Sequence, residues 1–179
     1  KFEKTFAKFT GAKYAIGVTN ATAALILSLN SLGLKKNDEV IVPDETFVAT
    51  ANAVLLNGAV PVLADVEDVG YNVSVESIEK SITKKTKAIM PVHVLGNSTN
   101  MNELMKIKKK NNLILIEDTC ESLGSKYNDK YLGTFGEFST FSFYSSHQIS
   151  SGEGGMICCK NIEDYEIIKS LRSHGWSRG

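Results

Sequence analysis

The 179-residue sequence predicts an α/β domain with a mostly parallel, seven-stranded sheet and helices on both faces. Short apolar runs alternate with longer segments in which apolar residues have helical spacing. Several of the short runs are nearly all apolar, which is typical of strands that are buried on both faces. This alternation favours parallel strands joined by right-handed crossover helices, so we expect a single sheet covered on both sides.

Seven short segments have the composition of β-strands. Leu113-Ile114-Leu115-Ile116 is the most apolar of them. The loop between the last two strands is too short for a crossover helix, which predicts one antiparallel strand, placed at an edge of the sheet. The predicted strands span Tyr14–Thr19, Glu39–Pro43, Val60–Val66, Ala88–Val94, Leu113–Asp118, Phe138–Tyr144 and Gly154–Cys159.

Five longer segments have the apolar spacing or the start signals of helices. Ser74, directly before Val75-Glu76, is a typical N-cap. The predicted helices span Ala21–Leu32, Thr46–Asn57, Val75–Ile82, Asn100–Asn111 and Ile162–Ser173.

Composition and charge exclude several classes of protein. Hydrophobic residues make up 42% of the chain and charged residues 22%, which excludes a disordered protein. The 20 basic and 20 acidic residues give a formal net charge of zero, so no extended charge attracts nucleic acid or an anionic membrane. No apolar run approaches the roughly 18 residues that span a bilayer. We therefore expect neither nucleic acid nor a membrane as a partner.

The cysteines and the first residues indicate where the protein works. Three cysteines cannot all pair, and their spacing fits neither a disulfide framework nor a zinc site. The start, Lys1-Phe2-Glu3-Lys4, lacks the apolar core of a signal peptide. We predict a reducing, cytoplasmic setting, no metal, and a role for Cys158 and Cys159 as small hydrophobes within a strand.

Polar residues follow most of the predicted strands. Ligands of parallel sheets bind beyond the carboxyl ends of the strands, so we expect the segments that leave those ends to converge in space. These segments are Thr19–Thr22, Asp44–Phe47, His93–Asn97, Glu117–Glu121 and Ser142–His147.

Three features of these segments suggest chemistry. Residues 19–22 lie where a strand gives way to a helix, which predicts either an anion site or simple N-capping. Asp118 ends the most apolar strand, where a carboxylate either pairs with a cationic or proton-bearing ligand or is a structural cap or ion pair. His147 lies in a hydroxyl-rich loop, either as a general base or bonded to those hydroxyls. His93, a candidate core residue, and His174, near the chain end, are weaker candidates.

Six motifs occur in a fixed order: Asn20–Leu25, Asp44–Ala53, Pro91-Val92-His93, Ile116-Glu117-Asp118, Phe141-Ser142-Phe143 and Gly152-Glu153-Gly154-Gly155. Together they resemble the sugar-aminotransferase family of pyridoxal-phosphate enzymes, the DegT/DnrJ/EryC1/StrS group. The resemblance implies the fold-type I large domain over residues 1–179, with the family's small C-terminal domain and extreme N-terminus absent.

The resemblance also implies roles for individual residues. Asp118 corresponds to the carboxylate that pairs with the pyridinium nitrogen of the cofactor and keeps the ring an electron sink. Phe47 corresponds to the aromatic residue that stacks on the ring. Ala21 and Thr22 correspond to phosphate ligands through helix amides, and Ser142 to a hydroxyl ligand of the same phosphate.

Two positions depart from the aminotransferase pattern. The family's aminotransferases have, five residues after the equivalent of Ser142, the lysine that bonds covalently to the cofactor, and this chain has His147 there. Histidine at this position resembles the nucleotide-sugar 3-dehydratases of dideoxysugar pathways, as do Asp118–Gly124 and Gly133–Gly136. Three residues past Asp118 the aminotransferases commonly have glutamine; here Glu121 takes the implied place beside the cofactor's ring oxygen.

The resemblance thus implies a dehydratase that uses pyridoxal phosphate and pyridoxamine phosphate. His147 is the implied base, and the C3 hydroxyl of a nucleotide-linked 4-keto-6-deoxyhexose leaves, as in the synthesis of O-antigen dideoxysugars. The colitose-type branch, which is metal-free and uses glutamate as amino donor, is favoured over the iron–sulfur branch because Cys120, Cys158 and Cys159 lack cluster spacing. We expect a homodimer.

Two alternatives stay open at this point. One is an aminotransferase in which His147 replaces the lysine, and the other is a cofactor-binding relic without activity.

Overall fold

A computed structural model describes residues 1–176, which form a seven-stranded sheet in the order β1-β9-β8-β5-β4-β2-β3. All neighbouring pairs are parallel except those that involve β9. The strands of this sheet are β1 (Tyr14–Val18), β2 (Glu39–Pro43), β3 (Val60–Ala64), β4 (Thr86–Ile89), β5 (Ile114–Asp118), β8 (Phe138–Ser142) and β9 (Gly155–Cys159). A separate two-stranded hairpin contains β6 (Lys126–Tyr127) and β7 (Lys130–Tyr131).

Six α-helices surround the sheet: α1 (Phe2–Thr10), α2 (Ala21–Asn30), α3 (Ala49–Leu56), α4 (Val75–Ser81), α5 (Met101–Asn111) and α6 (Ile162–Arg172). Alternate residues of a strand point to opposite faces, and β2 shows the result. Val40 and Val42 pack in a cluster with α2, α3 and α6, whereas Ile41 packs with α4 and α5. The predicted α/β fold with helices on both faces is therefore confirmed.

The predicted antiparallel strand exists, but its predicted place at an edge is wrong. β9 is antiparallel to both of its neighbours, β8 and β1, and the edge strand is β1. Because β1 enters the sheet beside β9, it runs in the same direction as the parallel strands. Its carboxyl end, and the helix α2 that follows, consequently lie at the same end of the sheet as those of the other parallel strands.

The predicted strands and helices are all present, and their ends differ for local reasons. β4 ends at Ile89 rather than Val94, because Pro91 has no amide hydrogen for the ladder. α3 begins at Ala49 rather than Thr46, since the Asp44 amide still donates to the Ala64 carbonyl (3.0 Å) and the chain then needs several residues to turn.

The sequence analysis missed α1 and the β6–β7 hairpin. Phe6 and Ala7 of α1 are buried. The Phe6 ring packs edge-to-face with the rings of Phe141 and Phe143, at centroid distances of 5.0 and 5.5 Å. α1 thus covers the part of the sheet formed by β1, β8 and β9.

The longest helices within residues 1–176 have 11 residues, and none is long and apolar enough to cross a membrane.

Candidate active site

The segments that leave the carboxyl ends of the strands meet around one cavity of about 760 Å³, as the sequence predicts. The lining includes all seven candidate residues, namely Ala21, Thr22, Phe47, Asp118, Glu121, Ser142 and His147. The structure therefore brings these residues together, and their individual roles stay predictions. Within residues 1–176 the lining contains four carboxylates, two of them Glu45 and Glu153, and no lysine or arginine.

One end of the cavity is suited to an anion. Asn20 caps α2, and its side-chain oxygen accepts from the amide of Ala23 (2.8 Å). Ala21 and Thr22 are the first two residues of the helix, so their amides have no intrahelical acceptor and carry the positive end of the helix dipole. The Ser142 hydroxyl accepts from the Tyr144 amide (3.2 Å) and keeps its own hydrogen for a ligand.

Gly155, the first residue of β9, packs directly against the start of α2. A Cβ atom on this glycine would lie 2.5 Å from the carbonyl carbon of Asn20 and 2.8 Å from the amide nitrogen of Ala21. The absence of a side chain here lets the helix terminus approach the sheet, which explains why this motif contains a glycine at this position.

Gly155→Ala is expected to lower the free energy of unfolding by about 1–3 kcal/mol, because the added methyl group must displace backbone atoms. Urea unfolding measures the change. Gly17→Ala on neighbouring β1 is the matched control, since its Cβ would meet only the Glu3 carboxylate at 3.6 Å. Equal stabilities of the two variants would contradict the close approach.

Asp118 closes β5 at the base of the cavity. Its side chain is only 5% exposed, and the amide of Cys120 donates to Oδ1 (3.2 Å). Within residues 1–176 no cationic side chain lies within ion-pair distance of it. Burial raises the pKa of Asp118, partly offset by hydrogen bonds from Cys120. A ligand group that brings a proton or a positive charge would therefore be bound favourably here.

Glu117, the preceding residue, points into the protein and is completely buried. The amides of Phe135 and Gly136 donate to Oε1 (both 2.7 Å), and the Gly133 amide and His93 Nε2 reach Oε2 (2.8 and 3.3 Å). Burial alone would raise the pKa of Glu117, but the hydrogen bond and charge of His93 and the glycine amides together lower it. The turn 133–136 thus encloses a buried carboxylate next to Asp118.

Glu117→Gln is expected to destabilise the protein by about 1–3 kcal/mol at pH 7, because the amide nitrogen would face buried N–H groups. Since the folded-state pKa of Glu117 is lowered, its stabilisation is present above the unfolded pKa, about 4.3, and is lost as pH falls through the folded pKa. The difference in the free energy of unfolding between this variant and wild type, measured in urea, should be smaller at pH 4 than at pH 7. Glu103→Gln, at an exposed pair, is the control, and a difference that does not change with pH would contradict this prediction.

Phe47 and His147 form further parts of the lining. Phe47, two residues before α3, is 76% exposed, so its ring face is free to stack on a flat ligand. His147 is partly buried in the loop 144–153. This loop is closed at its base by hydrogen bonds from Phe143 to Gly154 and from Ser151 to Phe143 (both 2.9 Å). The imidazole ring of His147 thereby lies beside the cavity.

Glu121 lies on the turn after β5, and its carboxylate accepts from the amide of Leu95 (2.8 Å). Leu95 and Tyr71 also line the cavity, and the sequence analysis assigned no role to either residue. Both residues have positive φ angles, 52° and 57°, which are uncommon for residues other than glycine. The turn residues Gly70 and Gly96 beside them are the only sequence signal for these two positions.

Of the remaining histidines and cysteines within residues 1–176, Cys120 lines the cavity beside Asp118, and the others do not. His93 is fully buried and bonded to Glu117, so it is a core residue, and its Nδ1 has no partner within residues 1–176. His174 is exposed after α6 and does not line the cavity. Cys158 and Cys159 are buried in β9, as predicted, and burial raises the pKa of each thiol to about 12.

These features fit pyridoxal phosphate. The helix amides and the Ser142 hydroxyl offer hydrogen-bond donors for a phosphate group, Phe47 offers an aromatic face, and Asp118 is a buried carboxylate that lacks a cationic partner within residues 1–176. The described part of the cavity lining contains no lysine for a covalent bond to the cofactor.

Comparisons with known proteins agree with this geometry. GDP-perosamine synthase of Escherichia coli O157:H7 is 43% identical over 98% of this chain and 48% of its own length. The structure of E. coli GDP-4-keto-6-deoxy-D-mannose-3-dehydratase with bound hydrated pyridoxal phosphate is 39% identical. It matches with a TM-score of 0.94, over 98% of this chain and 46% of that chain.

A second similar structure is a double variant of the same kind of dehydratase, ColD, with a TM-score of 0.95 and 38% identity over 99% of this chain and 48% of that chain. In it, consecutive serine and histidine residues are replaced by asparagine and lysine. The chain spans about half the length of the curated relatives it matches.

The profile of the DegT/DnrJ/EryC1/StrS aminotransferase family matches residues 1–179. The family and the cofactor-bound neighbour support pyridoxal phosphate as the cofactor. Since the match covers the whole sequence, the chain belongs to the DegT/DnrJ/EryC1/StrS aminotransferase family.

Proposed function

We propose that this protein is a nucleotide-sugar 3-dehydratase that uses pyridoxal phosphate and pyridoxamine phosphate and removes the C3 hydroxyl of a nucleotide-linked 4-keto-6-deoxyhexose. One observation carries the proposal: His147 shares the cavity with Asp118 and Ser142, and the lining contains no lysine. A base that cannot form an imine is suited to elimination, whereas a lysine would promote the completion of amino transfer.

In this proposal the cofactor is held without a covalent bond. The amides of Ala21 and Thr22 and the hydroxyl of Ser142 bind the phosphate, and Phe47 stacks on the ring. Asp118 accepts the hydrogen bond of the ring nitrogen and holds the proton there, because a nearby carboxylate stabilises the charged form. Glu121 lies beside the ring oxygen.

When bound, the cofactor supplies an electron sink for bond breaking at a neighbouring carbon. His147, as a neutral imidazole, would take up a proton from the C4′ carbon of the cofactor and return it to the C3 oxygen of the sugar, which leaves as water. The C4 ketone of the sugar would first condense with the amino group of the cofactor, so that the electrons released at C4′ reach C3. One residue can perform both transfers because a base that has taken up a proton can return it as an acid.

The relatives support the dehydratase over the aminotransferase at one point. The ColD variant carries replacements of a consecutive serine and histidine, and Ser146-His147 is a dipeptide of the same two residues in this loop. We propose that the two dipeptides correspond.

The proposal extends to the partners of the reaction. Glutamate regenerates the amino form of the cofactor without a metal, and the active form is a homodimer in the cytoplasm. Cys120, Cys158 and Cys159 do not have the spacing of iron–sulfur ligands, which favours this branch.

The second candidate is an aminotransferase in which a histidine replaces the lysine. The 43% identity with GDP-perosamine synthase, higher than that with the dehydratase, favours it. A cofactor-binding relic without activity is the third possibility.

Product analysis separates these candidates. The protein is incubated with GDP-4-keto-6-deoxymannose, pyridoxal phosphate and glutamate, and the sugar is analysed by mass spectrometry and NMR. We expect a 3-deoxy sugar and 2-oxoglutarate, and no sugar product when glutamate is omitted. An amino sugar that retains its C3 hydroxyl would favour the aminotransferase, and cofactor binding without turnover of this or other 4-keto-6-deoxy sugars would favour the relic.

A further inference from the structure

Glu121 is hydrogen-bonded to two loops that contribute to the cavity lining. Its carboxylate oxygen Oε2 accepts from the amide of Leu95 (2.8 Å). Its backbone carbonyl accepts from Nε2 of Gln148 (2.6 Å). Gln148 is the residue directly after His147, so a single residue connects the loop of the proposed base with the loop of Leu95.

The Leu95 loop needs such a connection because its conformation is unfavourable by itself. Leu95 lies in a short 3-10 turn (Val94–Gly96) with φ 52° and ψ 28°, and its side chain is 81% exposed at the cavity. A left-handed conformation is unfavourable at a residue with a branched side chain and persists only where surrounding contacts hold it. The bond from its amide to Glu121 is one such contact.

Asn72 extends the same set of hydrogen bonds around the rim. It is almost completely buried; its Oδ1 accepts from the Val94 amide (3.0 Å), and its Nδ2 donates to the Gly70 carbonyl (3.1 Å). Tyr71, whose backbone is also in the left-handed conformation, lies between Gly70 and Asn72 in sequence and lines the cavity. The rim formed by Tyr71 and Leu95 is thereby bonded, through Glu121, to the loop that carries His147.

The ring of His147 depends on this connection for its position. Within residues 1–176 the structure shows no side-chain hydrogen bond for His147, only an edge contact with the Tyr144 ring at 6.5 Å and a bond from its own amide to the Tyr144 carbonyl. The link between Gln148 and Glu121 is therefore the nearest side-chain contact that ties this part of the loop to the body of the domain.

We propose that Glu121 is a positioning residue that couples the placement of His147 to that of the rim residue Leu95. Binding of a substrate against Leu95 would then also fix the position of His147, because both loops are bonded to the same residue. This inference deepens the proposed function, on which its catalytic consequence depends, and the coupling of the two loops stands independently of the reaction.

Hydrogen–deuterium exchange of the cofactor-loaded protein tests the coupling, and kinetics test its consequence. Glu121→Leu removes the acceptor for Leu95, whereas Glu121→Gln keeps an acceptor oxygen and is the matched control. We expect Glu121→Leu to speed exchange by about tenfold in segments 94–97 and 144–151 and to lower kcat by about 10- to 100-fold with a smaller change in KM. Glu121→Gln, which keeps an acceptor oxygen for the Leu95 amide, should show exchange within about threefold of wild type in both segments.

Gln148→Leu tests the other side of the link. It should speed exchange in 144–151 and lower kcat by a similar factor. The double variant Glu121→Leu, Gln148→Leu should be no worse than the poorer single variant, since both act on one connection. Wild-type exchange in 144–151 in the Glu121→Leu protein, or additive losses in the double variant, would overturn the proposal. A wild-type protein that forms an amino sugar would refute the dehydratase instead and leave the exchange result to decide the coupling.

Discussion

Replacement of His147 by asparagine is expected to lower kcat by about 10²- to 10⁴-fold, the usual contribution of a general acid–base residue. Asparagine keeps a polar side chain of similar reach but cannot take up the proton. The phosphate, ring and nitrogen contacts proposed for Ala21, Phe47 and Asp118 do not involve His147, so the affinity for pyridoxal phosphate should change by less than about threefold. Stopped assays of the 3-deoxy product and cofactor titration by absorbance measure the two effects.

His147→Lys provides the complementary test at the same position. Borohydride reduction of the lysine variant with pyridoxal phosphate should leave a covalent adduct on residue 147, detected as a mass increase of the peptide that contains it. The wild-type protein, treated identically, should release its cofactor on dialysis. A reduced adduct of equal yield in the wild type would show that another amine reaches the cofactor, and would exclude the histidine-type site.

Asp118→Asn should give the second large loss of activity. A carboxylate near the ring nitrogen raises its pKa by about 1–3 units, so the amide variant should hold the protonated form about 10- to 1000-fold less well. We expect kcat to fall by a factor in that range. The absorbance of the bound cofactor should also titrate at a lower pH than in the wild type. An unchanged titration would contradict the proposed pairing.

In the protein without cofactor, Asp118→Asn is expected to increase the free energy of unfolding rather than to impair the protein. Burial raises the pKa of Asp118, so the folded state favours the protonated acid more than the unfolded state does. The associated stabilisation is present below the unfolded pKa of about 3.9 and is lost as pH rises through the folded pKa. Cofactor-free Asp118→Asn should therefore unfold at a higher urea concentration than wild type at pH 8, and the difference should shrink as pH is lowered. A less stable variant at pH 8 would show that the carboxylate has a partner that this geometry does not include.

Much of this arrangement follows from local sequence patterns. The apolar run before Asp118 fixes a buried strand, and parallel strands necessarily bring the residues at their carboxyl ends together. For that reason the cavity contains the residues that follow β1, β2, β5 and β8. The identity of the base depended on the resemblance, since a histidine in a polar loop has many possible roles.

Other features depend on contacts between distant segments and could not be predicted from periodicity. The burial of Glu117 requires the amides of the 133–136 turn, some sixteen to nineteen residues away in sequence. The place of β9 inside the sheet depends on pairing with β1, which lies at the other end of the chain. Tyr71 was missed, and Leu95 was given no role, because no propensity predicts a left-handed leucine or tyrosine. Glu121 accepts a hydrogen bond from the Leu95 amide, and Asn72 accepts from the Val94 amide and donates to the Gly70 carbonyl, which supports those conformations.

The reversal of direction at β9 bears on how such a site can diversify. The excursion that contains His147 leaves the sheet at one strand and returns at the adjacent one, so both of its stems are anchored to the same framework. Under the proposed function, exchange of the His147 side chain alone would change the reaction while the strands on either side and the start of α2 stay the same. A lineage built on this topology could therefore switch between transferring nitrogen and expelling oxygen without passing through an unfolded ancestor.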